Sequence, residues 1–496
     1  MSEQQSSYRQ IMKATSLFGG VQVFNILIQI IRSKVIAVLL GPSGMGIIGL
    51  LNSTTSFIGS LTNFGLGTSA VKNVSEANFS GKTERISTIV TVLRRLVWIT
   101  GLLGTILTII FSPWLSQITF GNEKYTTAFI WISVSLLFNQ LSNGQMVIIQ
   151  GMRKLRLLAK ANLSGSTLGL IVTLPLYYFL GFDGIVPGII GTSLASMLVS
   201  FFYSRKIPVV PVQITVPQTL KEGKNMLQMG FLISLSGLLT LGASYILRIF
   251  IGRIGGIAEV GLYTAGFAII NSYVGLIFNA MGTDYYPRLS AMANDNRKCT
   301  IAINQQSEIG ILILAPIIVA FLIFIKWVII ILYSNQFVAV SGMIYWASFG
   351  MFFKVVSWAI AFIFLAKGTS KLFFWNELIS EIYILLFNLV GYHFMGLTGL
   401  GISFAAGYLI YLFQVYTVSK IQYGFSLNRD FIRIFIIQFA IAIAAFLCIR
   451  FFNQPYTYLF GSVLILFSCW FSLKELDKRI GLKQLLESLK NKDQAD

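Results

Sequence analysis

The residues with the means to do chemistry in this 496-residue chain are charges set inside apolar runs. Lys354 lies near the middle of one such run, and Glu377 and Glu381 lie in the next, four residues apart and so on one helix face. Glu308 sits in the inner third of an earlier run, Arg32, Lys34, Arg94 and Arg95 interrupt the N-terminal ones, and Arg248 interrupts the first run of the C-terminal half. An ionisable group inside a bilayer costs several kcal/mol, roughly 2.5–3.5 on insertion scales, so each must meet a partner, a wet cavity or the headgroups. Two chemistries fit these types. Arginine and lysine at depth can receive an anion. A buried carboxylate, whose pKa rises when its charge is desolvated, can carry a proton. For Lys354 a structural ion pair to Glu377 or Glu381 is the alternative, and the two readings are compatible. For Arg94, Arg95 and Arg253 the alternative is snorkelling to the headgroups.

The composition demands a membrane. The chain is 55% apolar and only 11% charged, against about one quarter charged in soluble domains. Its 37 Lys and Arg outnumber 18 Asp and Glu. In a membrane protein that excess reports orientation, so no nucleic-acid partner is expected. Cys299, Cys448 and Cys469 are far apart and the one histidine is His393. Neither a disulfide framework, a metal site nor a cofactor is expected. The polar start and the long apolar helix after it carry no small-residue cleavage site, so no removable signal peptide is read.

Windows of about 20 apolar residues fall near 13–39, 45–71, 87–111, 126–150, 157–180, 184–204, 226–251, 258–283, 301–325, 338–366, 371–392, 396–419, 431–450 and 455–473. The fold class expected is an all-α integral membrane protein of about fourteen spans. Alternate connections gather most of the Lys and Arg, which places both termini in the cytoplasm. A Pro-containing linker at 208–225 separates an N-terminal lobe (1–207, spans one to six) from a C-terminal lobe (226–420, spans seven to twelve). Spans thirteen and fourteen (421–473) stand outside this scheme, and a basic tail follows at 474–496.

The lobes are suggested by a repeat. At a constant offset of 215, Ile36, Gly41, Gly46, Leu61, Gly67, Thr68 and Ser75 match Ile251, Gly256, Gly261, Leu276, Gly282, Thr283 and Ser290. Arg248 falls at nearly the position of Arg32 and Lys34. Membrane proteins built from two similar halves often work at the interface of the repeats. The glycines of the first copy (Gly41, Gly44, Gly46, Gly49) read as packing and hinge positions. The sequence lacks the GK[ST] ending and strand context of a phosphate loop.

Lys34 followed by Leu40-Gly41-Pro42-Ser43-Gly44-Met45-Gly46-Ile47-Ile48-Gly49-Leu50 resembles the signature of polysaccharide flippases of the multidrug/oligosaccharidyl-lipid/polysaccharide exporter superfamily, most of all the O-antigen (Wzx-type) translocases. The resemblance implies two six-helix lobes around a cavity that opens alternately to each side of a bacterial inner membrane. It implies a cargo of undecaprenyl-pyrophosphate-linked oligosaccharide moved to the outer leaflet, and no enzymatic activity. A polymerase and glycosyltransferases of the same pathway would be the partners. On it, Arg32, Lys34, Arg248, Lys354 and Arg94 are the substrate-binding residues, Glu308, Glu377 and Glu381 the coupling ones, and Gly41, Pro42, Gly44 and Gly46 the motif. A lipid II flippase, with its fourteen spans, and a cation-coupled drug exporter of the same superfamily are the alternatives. The N-terminal lobe lacks an acidic residue at depth, which disfavours the exporter. A membrane polymerase or acyltransferase is disfavoured by the lack of a large outer loop and of a mid-chain histidine.

Overall fold

A computed structural model describes residues 3–209, 212–453 and 455–480. Among them every regular element is helical. The elements are α1 (Glu3–Leu39), α2 (Gly41–Thr62), α3 (Leu66–Phe79), α4 (Thr83–Ile110), the short α5 (Ser112–Phe120), α6 (Thr126–Gly151), α7 (Leu155–Leu180) and α8 (Ile185–Ser204). They continue with α9 (Val216–Ile254), α10 (Ile257–Ala268), α11 (Gly275–Ala291), α12 (Asn296–Leu332), α13 (Ser341–Ala366), α14 (Ser370–Tyr423), α15 (Arg429–Phe451) and α16 (Tyr456–Ile480). Three features turn these into fourteen crossings among the described residues. Phe64 and Gly65 break one crossing into α2 and α3, with φ of 48° and 64°. A π-helical stretch, Ile269–Val274, joins α10 to α11. Gly396, at φ 57° and ψ −142°, folds α14 back on itself. The protein is thus an all-α, multi-pass membrane protein, and its crossings follow the apolar windows. Much of the basic tail expected from 474 lies outside the described residues.

Local chemistry sets the helix starts. Pro42 occupies the first turn of α2, where the missing N–H is no loss. Thr215 and Gln218 form a capping box at the head of α9, each closing an N–H that the first turn leaves open. The Asn428 side chain accepts from Phe431 N at 2.7 Å to start α15.

The chain packs as two compact units, residues 1–262 with 332–334, and residues 263–331 with 335–496. Packing and sequence repeat therefore divide the chain at different points, because α9 is bound to the helices before it. Arg85 forms a two-pronged ion pair with Glu222 at 2.8 and 2.9 Å. Arg95 donates to Ile214 O at 2.6 Å and to Thr219 Oγ1 at 2.8 Å. Tyr245 stacks on Phe57 at 5.7 Å and shares a 2.7 Å hydrogen bond with Thr119. Arg95 is thus a clasp on the linker.

Candidate functional site

The glycine motif is a packing device. Gly41 turns the chain at φ 63°, and two turns of backbone then meet without side chains between them. A Cβ on Gly46 would strike Ile257 O, and one on Gly261 would strike Pro42 O. Pro42 and Ile257 are themselves 215 residues apart, as Gly46 and Gly261 are. The two copies of the repeat therefore hold one another by a reciprocal contact, the arrangement of a two-fold interface inside one chain. Only glycine admits backbone this close, a device common where membrane helices pack. Beside it, Arg253 donates to Gln117 O and, at 3.0 Å, to Ile118 O, carbonyls near the end of α5.

The cations of the first unit have different surroundings. Arg32 of α1 packs where α7 and α8 approach, close to Gly169 and Thr192, and Tyr177 is its electrostatic neighbour. Its Nε is buried with no hydrogen-bond partner among the described residues. Lys34, two residues on, is half-buried. Arg248 donates to the Oγ of Ser244 one turn earlier on α9. Arg94 lies elsewhere, in a cleft with Arg205 just past the end of α8. Thr192 and Arg205 are separated by thirteen residues, or about 20 Å along α8 at 1.5 Å per residue. Arg94 is thus not brought to Arg32. Acidic residues of this unit are confined to connections and helix ends: Glu3, Glu76, Glu84, Glu123, Asp183, Glu222 and Glu259.

The second unit builds a different environment. Lys354 of α13 donates to Asn271 Oδ1 at 3.0 Å, and Asn271 belongs to the π-helical stretch. Such wide turns recur at functional sites because they free backbone and re-aim side chains. The rings of Tyr408, Phe404 and Phe278 stand 5.0, 5.6 and 5.9 Å from the ammonium, within range of cation–π attraction. Glu381 is the acidic group whose charge acts on Lys354. Glu377 is the acceptor of a hydrogen bond from Tyr411, and Tyr408 faces both carboxylates electrostatically. The cluster thus holds one cation, two carboxylates and hydroxyls in sequence, the components of a proton-responsive site.

Glu308 takes no part in it. Its carboxylate accepts from Arg479 Nε at 2.6 Å and Asn428 Nδ2 at 3.0 Å. Arg479 also pairs with Glu475 at 2.6 Å, and Glu475 with Lys478 and Arg433 at 2.9 and 3.1 Å. This network ties α12 to α15 and α16 and lines a polar cleft of about 760 Å³. Sequence reasoning missed these partners and the aromatic groups around Lys354. Tyr411 carried a usable signal: reflecting Glu377 about the turn at Gly396 lands one helical turn from it.

Residues 35–342 match the family of polysaccharide biosynthesis proteins. The lipid III flippase of Escherichia coli (strain K12) is 21% identical over 387 residues, covering 76% of this chain and 90% of that relative. Among solved structures, the lipid II flippase MurJ in an inward closed conformation has a TM-score of 0.67 at 12% identity, over 94% of this chain and 99% of its own. An inward-facing multidrug resistance MATE family transporter of the MOP superfamily has a TM-score of 0.65 at 17% identity, over 81% and 94%. At these identities the structures speak for the fold, while the family match covers well over half of the sequence. The chain belongs to the polysaccharide biosynthesis protein family.

Proposed function

We propose that the protein is a flippase that carries an undecaprenyl-pyrophosphate-linked oligosaccharide, an O-antigen or similar repeat unit, from the cytoplasmic to the periplasmic leaflet. The observation that carries this reading is the charge pattern of the first unit. Its membrane-depth charges are all cationic, and Arg32 is packed among helices with a buried N–H still to be satisfied. An arginine so placed suits the oxygens of a diphosphate, for which its planar fork is the natural receptor. The similarity to a lipid III flippase supports a lipid-linked cargo. Arg32, Lys34 and Arg248 take the diphosphate, Lys354 takes sugar hydroxyls or a phosphate oxygen, and the prenyl tail stays in lipid. Glu377 or Glu381 carries the coupling proton, since protonation there alters the charge that faces Lys354. The lobes at 1–207 and 226–420 exchange access by rocking, with both termini in the cytoplasm of a bacterial cell and the protein in its inner membrane. The reaction is transport and makes no covalent change. Glycosyltransferases supply the cargo and a polymerase consumes it.

Replacing Arg32 or Arg248 with Ala should abolish complementation of a flippase-deficient strain while protein abundance stays at the wild-type level. Normal surface polysaccharide in both variants would overturn the site. A cation-coupled small-molecule exporter has the fold likeness to drug transporters in its favour, and raised drug resistance on expression would establish it instead. Complementation of a strain lacking its lipid II flippase would move the cargo to that lipid.

A further inference from the structure

From the cleft around Arg94 and Arg205 we infer a second site, distinct from the cargo residues, that holds the phosphodiester of an anionic glycerophospholipid with one acyl chain laid along α4. The cleft measures about 320 Å³ and lies among α4, α6 and the end of α8. The two guanidinium groups repel one another, and the lining contains no carboxylate to separate them. Two arginines held together without an acid are an anion receptor, since each offers a fork of N–H donors and the anion relieves their repulsion.

Two further contacts prepare it. Arg205 rests over the Phe201 ring at 4.3 Å, within cation–π range. Gln145, also in the lining, accepts at its Oε1 from Ser204 Oγ at 2.6 Å. That bond occupies the carbonyl oxygen, so the group Gln145 has left to offer is its pair of amide N–H donors.

The choice of lipid over a soluble anion rests on an apolar row that runs on from Arg94 along α4. Trp98, Leu102 and Ile106 succeed it at intervals of four, and they are 50%, 42% and 50% exposed; Ile110 continues the row at 63%. Residues four apart are neighbours on a helix surface, and such a row winds round the helix by about 40° at each step. From Trp98 to Ile110 this row extends about 18 Å at 1.5 Å per residue, near the length of an acyl chain. A charged head at one end of an apolar stripe is the form of a phospholipid. Arg94 is 11 residues into α4 and Arg205 just past the end of α8, the level at which long cationic side chains reach headgroups. A tryptophan beside them is typical of that zone.

The test uses the full-length protein in neutral detergent micelles titrated with fluorescent dioleoyl-phosphatidylglycerol, read by anisotropy. The expectation is saturable binding, weakened roughly tenfold in Arg94→Gln and in Arg205→Gln, and largely kept when both arginines become lysine. Each variant's thermal midpoint without lipid guards against misfolding. Arg205→Gln, at an exposed helix end, decides the matter if Arg94→Gln does not fold. Phosphatidylcholine binding as tightly, or glutamine variants that bind as wild type does, would overturn the site. Displacement by inorganic phosphate at the concentration that serves the lipid would overturn the choice of a lipid.

Discussion

The contact between the repeat copies and the cluster around Lys354 are opposite solutions to membrane packing. At the first, Gly46 and Gly261 bring backbone against backbone, and the charged neighbour, Arg253, is absorbed by carbonyls at the end of α5. There, closeness does the holding. At the second, Lys354 is surrounded by rings, an amide and two carboxylates, so its surroundings alter with every protonation. The difference teaches where each task is placed. A contact made of glycine and carbonyl oxygen is closed or open, with little between, and suits a seam that parts. A cluster of ionisable groups in low dielectric changes its energy with charge and suits a trigger.

Gly261→Val tests that comparison most severely. Its new side chain must enter space held by Pro42 O and the Gly46 backbone, and backbone does not yield as a flexible side chain would. A loss on the order of 3 kcal/mol is expected, seen as a fall of many degrees in the thermal midpoint and in abundance. A midpoint within a degree of wild type would refute the close-packed seam.

A second experiment sets Glu308 against Glu377. Glu308→Gln leaves Arg479 with Glu475 but removes one arm of a largely buried network, so roughly 1–3 kcal/mol of stability should go, with transport per folded molecule unchanged. Glu377→Gln should do the reverse, keeping the Tyr411 contact and the midpoint while transport loses its response to an imposed proton gradient. The opposite assignment of these phenotypes would place coupling in the α12–α16 network.

The smallest effect concerns the clasp on α9. The hydrogen bonds from Arg85 hold the Glu222 carboxyl below the usual carboxylate range. A lowered pKa in the folded state means stability that is fully present above the ordinary carboxylate pKa and lost as pH falls through the lowered one. The pair is exposed, at 46% and 33%, so about 0.2–1 kcal/mol is at stake. Wild type should be slightly more stable than Glu222→Gln at neutral pH, and the two should converge in acid. A gap that persists at low pH would show that packing, and not charge, holds the linker end.

The neighbourhood of Lys354, Glu377 and Glu381 could be read from the sequence because it needs only three consecutive crossings and a turn at Gly396. The division among the N-terminal arginines could not. Arg94 and Arg95 are adjacent, yet one faces a cleft with Arg205 and the other grips the linker through Thr219. Successive residues on a helix point about 100° apart, so an error of one residue in placing a face reassigns every partner. The same limit hid the partner of Glu308, which lies 171 residues away at Arg479.

Sequence alone determined the class, the crossings and the repeat. Hydropathy is a local sum over some 20 residues, and a bilayer permits little besides a helix for such a stretch. It also determined which charges must be accounted for, because an ion inside an apolar run is costly wherever it points. Only the tertiary structure decided what each charge and glycine does. Lipid is as apolar as leucine, so hydropathy exerts no preference for one helix pairing over another. Close approach and hydrogen bonding make that choice, and they join Gly46 to Ile257 and Glu308 to Arg479 through contacts that no local window contains.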